Sequence, residues 1–249
     1  MNVAIIGYGQ MGKEVEKILV QRGHKVTVRI DPHTEADYPT LSAEMLSDTD
    51  AAIEFSHAVS VFDNAKIYAE TKTPAVVGTT GWTDKIEEVK KIIANNTAYL
   101  WGSNFSIGAH IFFSIAAYTA KLIENFEEYD IMAYELHHKR KKDSPSGTAL
   151  TLAEKILTNN TRKTTIVTDK LDRAPQPQEL HVASVRGGEI PGTHTVICDS
   201  QADSIEITHR ARNRSGFALG AVRAAEWLAD KKGFFTVDDF ISDILGGIR

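Results

Sequence analysis

The sequence predicts an α/β protein with a second, α+β part, and three observations carry the prediction. Short apolar runs alternate with segments of helical period through the first hundred residues, a glycine-rich turn closes the first run, and beyond residue 107 a strand-rich pattern takes over. With 249 residues, 42% of them hydrophobic, the chain can build one large domain or two modest ones.

Val3-Ala4-Ile5-Ile6 is the first strand. It runs into Gly7-Tyr8-Gly9-Gln10-Met11-Gly12, after which Val15, Ile18 and Leu19 recur at helical spacing until Gly23. Val26 to Ile30 makes a second strand, and Asp31 stands at its end, nineteen residues beyond Gly12. A dinucleotide site needs that order. The glycines let the backbone approach a pyrophosphate, the helix N-terminus faces its charge, and the acid accepts hydrogen bonds from ribose hydroxyls. Gly7, Gly9, Gln10, Met11, Gly12 and Asp31 are therefore the first candidate cofactor contacts of a Rossmann-like domain over residues 1–106.

The alternation continues. Ala51 to Phe55 reads as a third strand, Val59 to Thr71 as a helix, Ala75 to Val77 as a fourth strand, Thr83 to Asn95 as an amphipathic helix, and Ala98 to Trp101 as a fifth strand. Repeated β-α units imply a parallel sheet whose ligands lie at the carboxyl ends of the strands. Three loops fall at that edge: Ser56-His57, the turn holding Gly78, Thr79 and Thr80, and the turn holding Gly102, Ser103, Asn104 and Phe105. Their small and hydroxylated residues suit a cofactor lying close to backbone, although ordinary turns use the same residue types.

Ile107 to Glu124 reads as a long apolar helix and Tyr129 to Glu135 as a strand. A helix at Gly147 to Asn159 follows, then strands at Thr164–Val167, Ala183–Arg186, Thr193–Asp199 and Ser204–His209, and a helix at Phe217–Asp230. Residues 107–216 thus form a mixed open sheet whose alternating strands leave one face for helices and one for a partner. Between strand and helix lies Glu135 to Ala149, which gathers two adjacent imidazoles, a cluster of ammonium and guanidinium groups, and a Ser-Gly-Thr helix start. That combination suits a small polyanion; a solvated basic patch is the plainer alternative.

The remaining composition narrows the class. A net charge of −5 argues against a general nucleic-acid binder. No apolar run approaches the ~20 residues needed to span a bilayer, and Met1 leads straight into a strand pattern, so no membrane association and a cytoplasmic location are expected. The single cysteine, Cys198, reads as a small buried hydrophobe.

With a dinucleotide-type start followed by Glu-x-His-His-x-x-Lys-x-Asp-x-Pro-Ser-Gly-Thr-Ala, the chain closely resembles the dihydrodipicolinate reductases, now named 4-hydroxy-tetrahydrodipicolinate reductases, over nearly its whole length. Val77 to Gly81, Asn104-Phe105-Ser106, Arg186-Gly187-Gly188 and Ile207 to Ala211 add to the likeness. The resemblance implies reduction of a small cyclic dicarboxylate by NADH or NADPH in lysine and diaminopimelate synthesis. It also implies a homotetramer joined through the second domain, and a C-terminal helical segment, residues 217–249, that returns to the first.

It further implies His137 as the catalytic acid/base, Lys141 as proton donor, and His138, Gly147 and Thr148 as substrate contacts, with no metal. Lys139, Arg140 and Lys142 read as exposed steering charges, and His194 and His209 as structural. Arg186 and Arg214 could each reach a carboxylate, and Arg210 and Arg212 stand too close in sequence to choose between. Asp31-Pro32-His33 after the second strand tilts the cofactor toward NADH, because a carboxylate repels a 2′-phosphate; His33, Lys13 or Arg29 could offset that. A different two-domain dehydrogenase would account for residues 1–106 but not for the His-His-x-x-Lys and Ser-Gly-Thr arrangement. A nicotinamide-sensing regulator would need a DNA-binding helical segment that the sequence lacks.

Overall fold

The computed structural model describes residues 1–246. The chain divides into two compact units, one made of Met1–Ile107 with the segment from Arg214 onward, the other of Gly108–Asn213.

The first unit is built on a six-stranded sheet, entirely parallel: β1 (Asn2–Ile6), β2 (Lys25–Ile30), β3 (Ala51–Glu54), β4 (Ala75–Val77), β5 (Ala98–Trp101) and β11 (Gly233–Thr236), in the order β11-β5-β4-β3-β1-β2. Its central strands are largely apolar because both faces are covered, with Glu54 at the end of β3 the buried exception. In β1, Val3 and Ile5 face a core built with Val15 and Leu19 of α1 (Gln10–Gln21) and with Ala221, Val222 and Leu228 of α6 (Ser215–Leu228). Ala4 and Ile6 face the opposite core, with Val61, Ala65 and Tyr68 of α2 (Ala58–Thr71) and Val89 and Ile93 of α3 (Ile86–Ile93). The strand order reverses beside β1, which opens a crevice beyond the carboxyl ends of β1 and β3.

Two expectations need correction here. Residues 217–249 do not form one helix: α6 ends at Leu228, β11 pairs in parallel with β5, and α7 (Val237–Ile244) follows. Gly233, at φ +107°, breaks the helical run, the aromatic pair Phe234-Phe235 favours a strand, and Thr236 with Asp239 forms a capping box that starts α7 anew. Residues 247–249 of that expectation lie outside the described residues. The helix expected at Thr83–Asn95 opens as a 3-10 turn, Thr83–Lys85, and stops at Ile93, where Ala94 turns to φ +23°.

The second unit has a five-stranded mixed sheet in the order β10-β9-β6-β8-β7, formed by β6 (Asp130–His137), β7 (Thr165–Val167), β8 (Glu179–Arg186), β9 (Thr193–Asp199) and β10 (Ser204–Arg210). Helices α4 (Ile107–Ile123) and α5 (Gly147–Asn159) cover one face, burying Phe112, Phe113, Ala116, Leu152 and Ile156 against Ile131, Ala133, Leu180, Val182 and Val196. Cys198 lies in this core, and burial pushes its thiol up to about 11. The opposite face carries Met132 and Val185, both partly exposed. Strand β8 begins earlier than Ala183, because Leu180 and Val182 already alternate inward. Strand β6 continues past Glu135, so His137 sits on a strand rather than in the loop.

Candidate functional site

Strand register builds the centre of the site. On the helix-covered face, Glu135 of β6 pairs with Ser184 of β8 and His194 of β9, and His194 in turn pairs with His209 of β10, so four polar residues form one rung across the sheet. The rung below, Ala133, Val182, Val196 and Ile207, is apolar and belongs to the core. The rung above brings His137 beside Arg186.

Glu135 is fully buried, and its carboxylate is saturated. Oε1 accepts from the Ser146 backbone N–H at 2.8 Å, the Ser184 hydroxyl at 2.9 Å and Arg186 Nη2 at 2.7 Å, while Oε2 accepts from the Ser146 hydroxyl. Burial opposes its charge, but hydrogen bonds from His194, Ser146 and Arg186 outweigh that and hold the carboxyl well below the usual range. His137 is 7% exposed. Its Nδ1 lies 3.2 Å from Glu135 Oε2, off the line a hydrogen bond needs, and its ring meets that of His194 edge-on at 5.2 Å. Burial pushes His137 down to about 4; Glu135 works against that shift, and the charges of His194, Lys141 and Arg186 reinforce it. The imidazole is thus neutral at pH 7.

Ser146 caps α5, its hydroxyl accepting from the Ala149 N–H at 3.1 Å. Gly147 and Thr148 follow as the first helical residues, with open space where a Gly147 Cβ would stand. The preceding segment is zipped to the turn after β8: the His138 N–H donates to the Ile190 carbonyl at 2.8 Å, and the Gly187 N–H to the His137 carbonyl at 2.9 Å. Lys141 is partly buried and pairs with Asp143 at 2.9 Å, and His138 keeps a buried Nδ1 without a hydrogen-bond partner. Lys139 and Lys142 are exposed as expected, but Arg140 is ion-paired with Glu189 and so presents little net charge for steering. Of the arginines weighed, Arg186 lies in this cluster, committed to Glu135 and the Asp143 carbonyl; Arg210, Arg212 and Arg214 are exposed, and Arg214 belongs to the first unit.

Glu135, His137 and His194 bring an oxygen and two nitrogens within 4.8 Å of one another, a donor set of the type a divalent cation takes. The carboxylate oxygens are already engaged, however, and Arg186 and Lys141 add positive charge, so this chemistry suits a proton and an anion better than a metal.

The nucleotide-type features of the first unit stand at the crevice. Gly7 turns at φ +89°, and a Cβ there would lie 2.1 Å from the Phe55 carbonyl oxygen; one on Gly12 would lie 2.3 Å from that of Gly7. Gly9 is the N-cap of α1 and offers no side-chain cap, so the helix leaves its first N–H groups, from Gln10 onward, for an anion. The Asp31 carboxylate accepts from the backbone N–H groups of Tyr8 and His33, each at 2.8 Å, and lines a cavity of about 330 Å³ with Gly7, Ser56, His57 and Asn64. Beneath it, fully buried Glu54 accepts from Ser56, Asn64 and Tyr68. These groups fit a dinucleotide.

Arg29 does not balance Asp31, because Glu16 and Asp37 hold it. Thr79 is buried and structural in its contacts, accepting from Ser56 N–H and from the indoles of Trp82 and Trp101. Phe105 sends its ring into the core against Phe55, and Gly78 and Gly102 pack against Phe55 and Val237. Thr80 and Ser103 are exposed, Met11 packs on the core, and the Asn104 side chain accepts from the Ser106 N–H.

Residues 1–105 match the N-terminal and residues 108–241 the C-terminal family model of dihydrodipicolinate reductase. The chain belongs to the dihydrodipicolinate reductase family. It is 40% identical over 245 residues to the 4-hydroxy-tetrahydrodipicolinate reductase of Christiangramia forsetii, covering 98% of this chain and 99% of the relative. Against the same enzyme of Archaeoglobus fulgidus it is 38% identical, covering 97% of this chain and 100% of the relative. Among solved structures, a dipicolinate-bound dihydrodipicolinate reductase from Paenisporosarcina sp. TG-14 shares the fold, with a TM-score of 0.73 at 21% identity over 95% of this chain and 97% of that one.

The reductase resemblance read from the histidine segment is thereby borne out. Three residues that the structure brings beside His137 were not candidates from the sequence: Glu135, Ser184 and His194. The Glu-x-His spacing does place Glu135 and His137 on one face of a strand, but which strands flank them, and in what register, is not written locally.

Proposed function

We propose that the chain catalyses the NAD(P)H-dependent reduction of 4-hydroxy-tetrahydrodipicolinate to tetrahydrodipicolinate and water, a step of lysine and diaminopimelate synthesis. The observation that carries this reading is a neutral, buried His137 ringed by Lys141, Arg186 and the start of α5, a pocket that concentrates positive charge around a proton acceptor. In this reading the backbone of Gly147 and Thr148 holds one substrate carboxylate at the helix start, with His138 donating beside it. His137 and Lys141 handle the protons. Lys141 is the donor as a cation, and His137, neutral in the free enzyme, gains proton affinity when a dianion enters the cluster. The nicotinamide, when bound, supplies hydride.

The cofactor lies, in this proposal, over Gly7, Gly9, Gln10, Met11 and Gly12, with Asp31 on its ribose and the backbone of Gly78–Thr80 and Gly102–Phe105 along its length. Because two N–H groups orient Asp31 and Arg29 is committed elsewhere, NADH is favoured over NADPH. The open face of the second sheet, with Met132 and Val185, supports assembly as a homotetramer. Oxidation of NADH with freshly generated cyclic dicarboxylate tests the activity, and initial rates with each cofactor test the preference. His137→Gln and Lys141→Ala are expected to lower kcat by ~10²-fold with cofactor affinity kept. Near-full turnover in His137→Gln would remove its proposed role.

A further inference from the structure

We propose that Glu135 is a positioning residue for the reductase reaction, acting with Arg186 as a charge-compensated pair that balances the field on His137 and aims the start of α5. This deepens the reading of His137 as the acid/base group and rests on it. One buried carboxylate ties together four separate stretches of chain: its own strand, the β8 residues Ser184 and Arg186, His194 on β9, and both donors of the α5 cap, Ser146. Gly147 and Thr148 extend directly from that cap, so whatever fixes Ser146 fixes the direction of their N–H groups. The carboxylate also lies 3.2 Å from His137 Nδ1, close enough that its charge and the opposing charge of Arg186 both act on the imidazole.

The groups facing His137 are Glu135 on its own strand, Arg186 on β8, His194 on β9 and Lys141 in the following loop. Glu135 favours the protonated imidazole, and the other three oppose it. Removing one member of the Glu135–Arg186 pair therefore shifts the imidazole in a direction set by which member goes. A role limited to folding has no such sign.

The test is the pH profile of kcat/KM for the dicarboxylate, with NADH saturating, in the wild type, Arg186→Gln, Glu135→Gln and the double variant. Because the substrate is the same throughout, its own ionisations cancel in the comparison. In Arg186→Gln the acid limb is expected to rise measurably, since a cation opposing His137 is lost. In Glu135→Gln it falls, and KM for the dicarboxylate rises at least tenfold as the cap loses its anchor, while KM for NADH stays within twofold.

The double variant carries no unpaired buried charge, so it is expected to fold even where Glu135→Gln leaves Arg186 uncompensated, and its limb lies between those of the two single variants, because the two charges act on His137 with opposite sign. An unmoved limb in Arg186→Gln, or a double variant shifted as far as that single variant, overturns the proposal. Persistence of the wild-type limb in His137→Gln would instead overturn the assignment of that limb to His137, a separate failure.

Discussion

The close approach of Gly192 to the His137 ring makes Gly192→Ala a direct probe of the role proposed for that imidazole. A Cβ at Gly192 stands 3.0 Å from His137 Nε2 and 3.4 Å from its Cδ2, so either the ring or the turn before β9 must give by a few tenths of an ångström. The ring has little room to retreat, because His194 lies edge-on at 5.2 Å and Glu135 at 3.2 Å behind it. A misplacement of 1 Å at a reacting group costs on the order of 10²-fold, so a few tenths predicts about a three- to tenfold loss of kcat, with little change in KM for NADH. Gly187, in the neighbouring turn, has nothing within 4 Å of its own Cβ position and serves as the control. Steady-state kinetics of both variants, with thermal melts to show equal folding, decide the matter. Full kcat in Gly192→Ala, or an equal loss in Gly187→Ala, would refute the steric argument.

Other outcomes follow from the same geometry. His137 stays neutral on folding down to about 4, whereas an unfolded imidazole takes its proton near 6.5. The unfolded state therefore binds more protons in that window, and stability falls as pH drops from about 6.5 to about 4, by up to about 3 kcal/mol; denaturant titrations across this range should flatten in His137→Gln. Glu135 acts in the same sense at lower pH: its depressed carboxyl stabilises the fold above the ordinary carboxylate range, and that contribution is lost as pH falls from there through its folded value, so Glu135→Gln should weaken the protein at pH 7, as urea titration would report. Asp31→Ala is expected to raise the NADPH-to-NADH ratio of kcat/KM by about tenfold, and an unchanged ratio would show that Asp31 does not meet the ribose. Glu54→Ala strands three donors, from Ser56, Asn64 and Tyr68, and should cost about 3 kcal/mol in urea titrations, with Glu54→Gln milder.

Much of the first unit was legible because its rules are local. A strand buried on both faces is apolar along most of its length, so Val3–Ile6, Ala75–Val77 and Ala98–Trp101 announce themselves, and the spacing of Gly12 from Gly7 reflects a backbone contact within the turn itself. The C-terminal strand was not legible. Gly233 to Thr236 is too short to show a period, and its pairing with β5 depends on a segment more than a hundred residues distant. The second unit divides in the same way. Ser146-Gly147-Thr148 reads as a helix start from capping chemistry alone, and His137 and Lys141 stand out by residue type. Nothing in the strand of His194 says that it lies opposite Glu135, and Arg140 looked like a steering charge because its partner Glu189 comes from another turn.

The polar rung of the second sheet has a consequence for folding as well as for chemistry. A slip of β9 by two residues against β6 would keep every side chain on its proper face, so hydrophobic patterning alone penalises it weakly. The slip would, however, set Val196 or the Gly192 end of the strand opposite Glu135 in place of His194, separating the buried His194 imidazole from its carboxylate partner. The polar rung thus doubles as a pairing key for the sheet: a chain that assembles with β9 in the wrong register buries the His194 imidazole away from its partner, and only the register that completes the rung also satisfies the core.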